Sequence, residues 1–279
     1  MPKEVPLLIP QPIQEIKEWV ILGLDPSLSR TGYSLMRVQP AAVSGSTATW
    51  VGAGSLKPDP IDNGMSPQTT IWIRCKGIAM YLRRIFETQI AKWQDEGVDT
   101  KKVGLIIALE APPPQNDYLA SIHRAVHMVL FQNSYLTDNF GQIRILYVNA
   151  STLRSLMKLT QRGAKNKAEN IARAYDFISK SEYPELDSDS CDAVLVTMVA
   201  RYAASIVMGF PNEAPQNFLN SLCNATQETK GKGVRTRVVT KGIFHRNEYW
   251  YKYERQSYLV AVKDATIPKK TLSRVEFVI

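Results

Sequence analysis

The chain carries only three cysteines, Cys75, Cys191 and Cys223, far apart and with no C-x-x-C pair among its 279 residues. Neither a zinc ribbon nor a disulfide framework can be built from them, and a reducing intracellular compartment such as the cytoplasm is expected. Long apolar runs are also missing. The opening stretch MPKEVPLLIPQPIQEIKEW is interrupted by Pro and Glu where a signal peptide needs an unbroken apolar segment. The most apolar segment, Ala193 to Phe210, is broken by Arg201 and falls short of a membrane span, so no membrane partner is expected. No internal repeat and no low-complexity tract is present, which excludes a solenoid.

What remains is a chain long enough for one large domain, or one domain and an appendage, at roughly 100–200 residues per domain. Hydrophobic residues make up 44% and charged residues 22%, the balance of a folded globular protein. Lys and Arg number 34 against 26 Asp and Glu, a net charge of +8, and that excess favours a polyanionic partner.

Residues 1–18 hold four prolines and no amphipathic period, and are expected to form a leader on the surface. Three strand-like segments follow, Trp19–Asp25, Thr31–Val38 and Thr49–Leu56, whose short connections favour antiparallel neighbours. Ser66-Pro67 starts a helix, with Ser as N-cap and Pro in the first turn. Its apolar period, Ile71, Cys75, Ile78, Leu82, Phe86, Ile90 and Trp93, lasts until Gly97. VGLIIALE, Val103–Glu110, reads as a strand buried on both faces. A second helix is expected over Asp117 to Leu136, a strand over Ile143–Val148, and helices over Thr152–Lys158, Asn166–Ser179 and about Asp189 to Val207. This order predicts an α/β fold, a mixed sheet with helices packed on both faces. From Pro211 onward the composition changes: residues 211–279 carry twelve Lys and Arg against six Asp and Glu, with strand-like runs Arg235–Val239, Tyr249–Tyr253, Tyr258–Val262 and Arg274–Ile279. The predicted organisation is a leader over 1–18, a core domain over 19–210, and a basic, β-rich region over 211–279.

The placement of acids is the most informative feature. Asp25 ends the first strand, Glu110 ends VGLIIALE, and Asp189 and Asp192 open the last helix, where a spacing of three puts them on one face. Ligands of open α/β sheets bind at strand ends. If the two strands are adjacent and the helix crosses them, four carboxylates converge. Such a cluster repels itself unless cations sit between its members, and hard divalent ions, Mg²⁺ or Mn²⁺, suit oxygen ligands. Two such ions about 3.5–4 Å apart activate water and stabilise the leaving oxygen in phosphodiester cleavage. Asp187 and Ser188 have a plainer use, one of them as the helix cap.

LGLDPSLSRTGYSLMRV resembles the opening motif of the RuvC family of Holliday-junction resolvases, in which Asp-Pro ends the first strand and Thr-Gly-Tyr begins the second. ALEAPPPQ is similar to the family's strand-ending Glu, VNASTLRSLMKLTQRGAKNKAENI to its basic, Gly-bearing segment, and DSDSCDAVLVTMVARY to its closing D-x-x-D-A helix. The four elements agree in order over about residues 19–210. The resemblance implies an RNase H-like fold and a metal-dependent endonuclease that cuts Holliday junctions or other branched DNA such as forks and flaps. It also implies a homodimer. Carried over by position, Asp25, Glu110, Asp189 and Asp192 are the metal-binding and catalytic acids. Lys158, and Lys165 or Lys167, match the basic residues near the scissile phosphate.

The chain departs from the family after Glu110, where Ala-Pro-Pro-Pro-Gln-Asn-Asp-Tyr stands in place of an aromatic-containing loop. Tyr118 there either stacks on an unpaired base or packs at a helix start. In the basic region Arg235 and Arg237 form the basic face of a strand-like run with Lys241 just beyond it, and all three are candidate DNA contacts, beside a plainer role for the region as padding. His123 and His127 have zinc-binding spacing, but the Glu of H-E-x-x-H is missing. Cys191 sits between the acids in apolar surroundings that suit a buried thiol better than a nucleophile. Two other readings exist. An actin-like or sugar-kinase ATPase shares the Asp and Thr-Gly pattern, yet needs a further phosphate loop, and Asp62-Asn63-Gly64 follows no buried strand. A nucleic-acid-binding relative without catalysis leaves the four acids unexplained.

Overall fold

The computed structural model describes residues 16, 18–27, 30–41, 45–57, 64, 66–110, 134–148, 153–154, 156–160, 164–207, 213, 226–229 and 237–240. Five strands, β1 (Glu18–Asp25), β2 (Thr31–Pro40), β3 (Ser46–Leu56), β4 (Val103–Glu110) and β5 (Gln142–Val148), form one sheet in the order β3-β2-β1-β4-β5. β1, β2 and β3 pair antiparallel, as their short connections predict, while β4 and β5 run parallel to β1. The fold is α/β, a mixed sheet with helices packed on both faces. β1, β4 and β5 therefore end at the same edge.

The central strands alternate between two apolar layers. On one side Val20, Leu22, Leu24, Leu105, Ile107 and Leu109 pack with the buried stripe of α1 (Pro67–Asp95), which includes Ile78, Leu82, Phe86 and Trp93. Burying each such side chain contributes about 1.5–3 kcal/mol. Ser66 caps α1 as expected, its hydroxyl accepting from the Thr69 N–H at 3.2 Å. On the other side Trp19, Ile21, Ile106, Ala108, Leu146 and Val148 pack with the helix Ser188–Val207.

The helix predicted over 117–136 falls mostly outside the described residues; a short helix, α2 (Ser134–Asn139), stands at its end. α3 (Ala164–Ala174) begins two residues earlier and stops five residues sooner than its period suggested. After Ala174 the backbone tightens, with Asp176 N–H donating to Arg173 O and Phe177 N–H to Ala174 O. The Phe177 carbonyl then turns to accept from Trp50 Nε1 at 2.8 Å. The helix Ser188–Val207 is α4. The basic region contributes one antiparallel pair, β6 (Thr226–Thr229) with β7 (Arg237–Thr240), in its described part. Among the described residues no helix is long and apolar enough to cross a membrane.

α4 lies unusually close to the sheet. A Cβ on Gly23 would stand 2.0 Å from Thr197 Oγ1 and 2.6 Å from the Ala193 carbonyl oxygen. A Cβ on Gly32 would stand 1.8 Å from the Asp189 carbonyl oxygen. Both positions need glycine because helix backbone fills the space. Between them the Ser34 and Thr197 hydroxyls share a buried hydrogen bond of 2.6 Å. Gly52, in contrast, faces open space. Gly32→Ala is therefore expected to destabilise the protein by about 1–3 kcal/mol or more. Gly52→Ala should be neutral or mildly stabilising. Urea unfolding of the two variants checks this, and equal effects would mean that the helix is not seated on Gly32.

Candidate active site at the strand ends

Asp25 and Glu110 occupy matching positions on neighbouring strands. Leu24 pairs in register with Leu109 in the parallel β1–β4 ladder, so the next residue of each strand stands at the same level. Side chains alternate along a strand. Leu24 and Leu109 face α1, which turns Asp25 and Glu110 toward α4. Beyond Asp25 the chain leaves the strand at Pro26 and turns back through Ser27, whose backbone carbonyl accepts from the Thr31 hydroxyl at 3.2 Å. On the other side Asp25 pairs with Gly32, the residue on which the Asp189 backbone rests. The start of α4 is thereby held beside the end of β1.

Asp187 fixes that start. Its Oδ1 accepts from the Ser190 N–H at 2.9 Å and from the Ser190 hydroxyl at 2.6 Å, the bonds of an N-cap. Its Oδ2 accepts from Arg30 Nη1 and from the Ser55 hydroxyl, each at 2.7 Å. One carboxylate thus ties the β1–β2 connection and the end of β3 to the helix that carries Asp189 and Asp192. Burial alone would raise its pKa, but the hydrogen bonds from Ser190, Ser55 and Arg30 outweigh burial and hold it at about 2. Of the two cap candidates, Asp187 is the one used.

The acids facing one another behave in the opposite way. Burial, then the charges of Asp192, Glu110 and Asp189, push Asp25 well above the ordinary carboxylate range, against the pull of Lys167. Burial and Asp192 push Glu110 up to about 7, opposed by Arg154. Asp192 is raised to about 6, chiefly by burial; a hydrogen bond from Asn170 lowers it, Asp189 raises it, and Lys167 and Arg154 lower it. The structure brings Asp25, Glu110, Asp189 and Asp192 into one shared field. Among the described residues no group of three or more His, Cys, Asp or Glu side chains is arranged to hold a metal ion. The donor chemistry nevertheless suits a hard divalent cation. Carboxylate oxygens are what such ions take, and the buried Asn170 Oδ1 has no hydrogen-bond partner among the described residues.

Of the predicted basic residues, Lys167 on α3 acts on Asp25 and Asp192. Lys165 lies two residues earlier, at the second residue of α3. Lys158 is exposed and ends the helical turn 153–157 with a left-handed φ of 56°. Tyr118, Arg235, Lys241, His123 and His127 lie outside the described residues, and Arg237 opens β7. Cys191 is fully buried, and burial, Asp192 and Asp187 push its thiol up to about 12, which leaves it unreactive. Two residues escaped the sequence reading. Arg154, four before Lys158, is the cation whose charge reaches both Glu110 and Asp192, and its guanidinium donates to Asn166 Oδ1. Asn170 donates to Asp192 Oδ1. A polar residue one turn before the buried Ala174 was the available signal.

The raised acids set a pH dependence in cation-free buffer. A carboxyl with a higher pKa in the folded state holds its proton more tightly there. Stability therefore falls as pH rises from the unfolded value near 4.5 to the folded value near 7 for Glu110, and is then constant. Glu110→Gln lacks this penalty. Above pH 7 it should be more stable than wild type by an amount on the order of 2–3 kcal/mol, with the difference vanishing near pH 4. Thermal melts in EDTA across this range read the difference directly, and a pH-independent gap would contradict the burial of Glu110 among like charges.

No known protein-family pattern and no curated protein matches this chain. Among solved structures it is similar to Thermus thermophilus RuvC in complex with a Holliday junction substrate, at 14% identity over 68% of this chain and 97% of that one, with a TM-score of 0.39. It is also similar to a Thermus thermophilus RuvC structure, at 16% identity over 66% of this chain and 95% of that one, with a TM-score of 0.38. A likeness at this level bears on neither activity nor partners.

Proposed function

We propose that this protein is a divalent-cation-dependent endonuclease acting on branched DNA, four-way junctions first and forks or flaps as related substrates. The observation that carries the reading is the gathering of Asp25 and Glu110 at adjacent strand ends with Asp189 and Asp192 on the helix across them. Structural acids at those positions would have their charge satisfied by enough hydrogen bonds or cations to outweigh burial, as Asp187 does. Instead, three are held at raised pKa by burial and mutual repulsion. The motif resemblance to resolvases adds the substrate class.

In this reading Asp25, Glu110, Asp189 and Asp192 hold Mg²⁺, with Mn²⁺ as a substitute. When bound, the cations would supply an activated water and stabilise charge on the leaving oxygen. The chain's own cations have a separate task. Arg154 and Lys167 lie near enough to lower the acids' pKa and present the positive charge that draws a DNA phosphate toward an otherwise repulsive cluster. Water adds to phosphorus as the bond to the 3′ oxygen breaks, leaving a 5′-phosphate and a 3′-hydroxyl. Two symmetric nicks across a junction call for two active sites, hence a homodimer. Residues 211–279, with Arg235, Arg237 and Lys241, serve as an accessory DNA-binding region.

Incubation with Mg²⁺ and matched four-way, fork, flap and linear duplex DNAs tests the reading. Branched substrates should be cut in preference to linear duplex. Asp25→Asn and Glu110→Gln should each reduce cleavage by about 10³-fold or more while junction binding persists, since each removes a negative charge facing phosphate. Near wild-type cleavage by either variant would overturn the site assignment.

A further inference from the structure

Asn170 is a buried amide on the face of α3 turned toward α4. It is 6% exposed; Ala174, one turn on at the end of α3, and Ile178, in the turn beyond it, are 0% and 2% exposed. One end of the amide is used, because Nδ2 donates to Asp192 Oδ1. The other end is not: Oδ1 is buried without a hydrogen-bond partner among the described residues. An unpaired buried acceptor costs about 1–3 kcal/mol, so a residue serving only to fill this space would be apolar like its neighbours. One turn earlier on α3, Asn166 accepts from Arg154. The same helix therefore steers a carboxylate and the cation that opposes it.

We infer that Asn170 is a positioning residue of the divalent-cation site, holding one oxygen of Asp192 with its N–H and offering its amide oxygen to a donor in the hydration shell of a bound cation. The inference rests on the reading of the four acids as a cation site. Outer-shell partners of ligating carboxylates fix ligand orientation, and losing one weakens metal binding by roughly 10–100-fold. The amide oxygen, without a donor in the protein, is satisfied when the hydrated ion brings one.

Asn170→Leu removes both polar atoms at similar volume, and Asn170→Ala removes them without adding bulk if leucine does not fit the interface. Ile178→Val, buried in the same core just past α3, is the control for loss of packing alone. Mn²⁺ binding is followed by electron paramagnetic resonance, with the Mn²⁺ needed for half-maximal junction cleavage and junction affinity in EDTA measured beside it. The Asn170 variants should bind Mn²⁺ about tenfold or more weakly and need correspondingly more of it for cleavage, with junction affinity in EDTA unchanged. Ile178→Val should match wild type in all three. Mn²⁺ binding by the Asn170 variants within twofold of wild type would overturn the inference, as would a wild type that binds no Mn²⁺. A wild type that binds Mn²⁺ through Asn170 yet cuts no branched DNA would remove the nuclease reading and leave this inference standing.

Discussion

The close seating of α4 on the sheet is the contact on which the rest depends. Gly23 and Gly32 let helix backbone approach strands β1 and β2 where any side chain would collide with Thr197, Ala193 or Asp189. Interiors are packed too tightly to absorb such a collision without displacement. The Ser34–Thr197 hydrogen bond and the four bonds to Asp187 then fix how far along the sheet the helix begins. That placement sets Asp189 beside Asp25. Apolar packing of α4 supplies the stability, while the glycines and Asp187 convert it into a defined position for the acids.

Within a few residues the same carboxylate chemistry is driven in two directions. Asp187 is saturated with donors and stays ionised down to about pH 2, so its contribution to stability is lost only as pH falls from about 4 toward 2. Asp192, five residues later, has Asn170 as a donor, but burial outweighs it and the charge of Asp189 adds to the rise. The contrast separates a satisfied acid from mutually repelling ones more sharply than position does. Arg154 and Lys167 only partly offset the repulsion, so further positive charge would stabilise the ionised cluster. A phosphodiester brought there without cations would be repelled.

The sequence made much of this legible. Acids that terminate the apolar runs ILGLD and VGLIIALE stand out because a fully buried strand has few uses for them, and the N-terminal turn of α4 shows in SDSCDAVLV. Ser66-Pro67 marked the start of α1 where it begins. The adjacency of β1 and β4 was not legible locally, since their partners lie some eighty residues apart and parallel pairing depends on the crossover. Nor was the role of Gly32, whose contact at Asp189 is distant in the chain. Arg154 was passed over for Lys158 because both lie on one short helical segment, and only the fold shows that Lys158 turns outward at its left-handed end. Asn170 needed the third dimension for a similar reason: the second of two Asn in AKNKAENIARA reads as solvated until the helix is seen against α4.

The central claim is that these four acids form one divalent-cation site. Anomalous diffraction from crystals soaked in Mn²⁺ near pH 8 tests it most directly. The account predicts manganese density bounded by the carboxylates of Asp25 and Glu110 and by at least one of Asp189 and Asp192. Saturating Mn²⁺ that leaves this place without an anomalous peak, or that binds only elsewhere on the molecule, would contradict it.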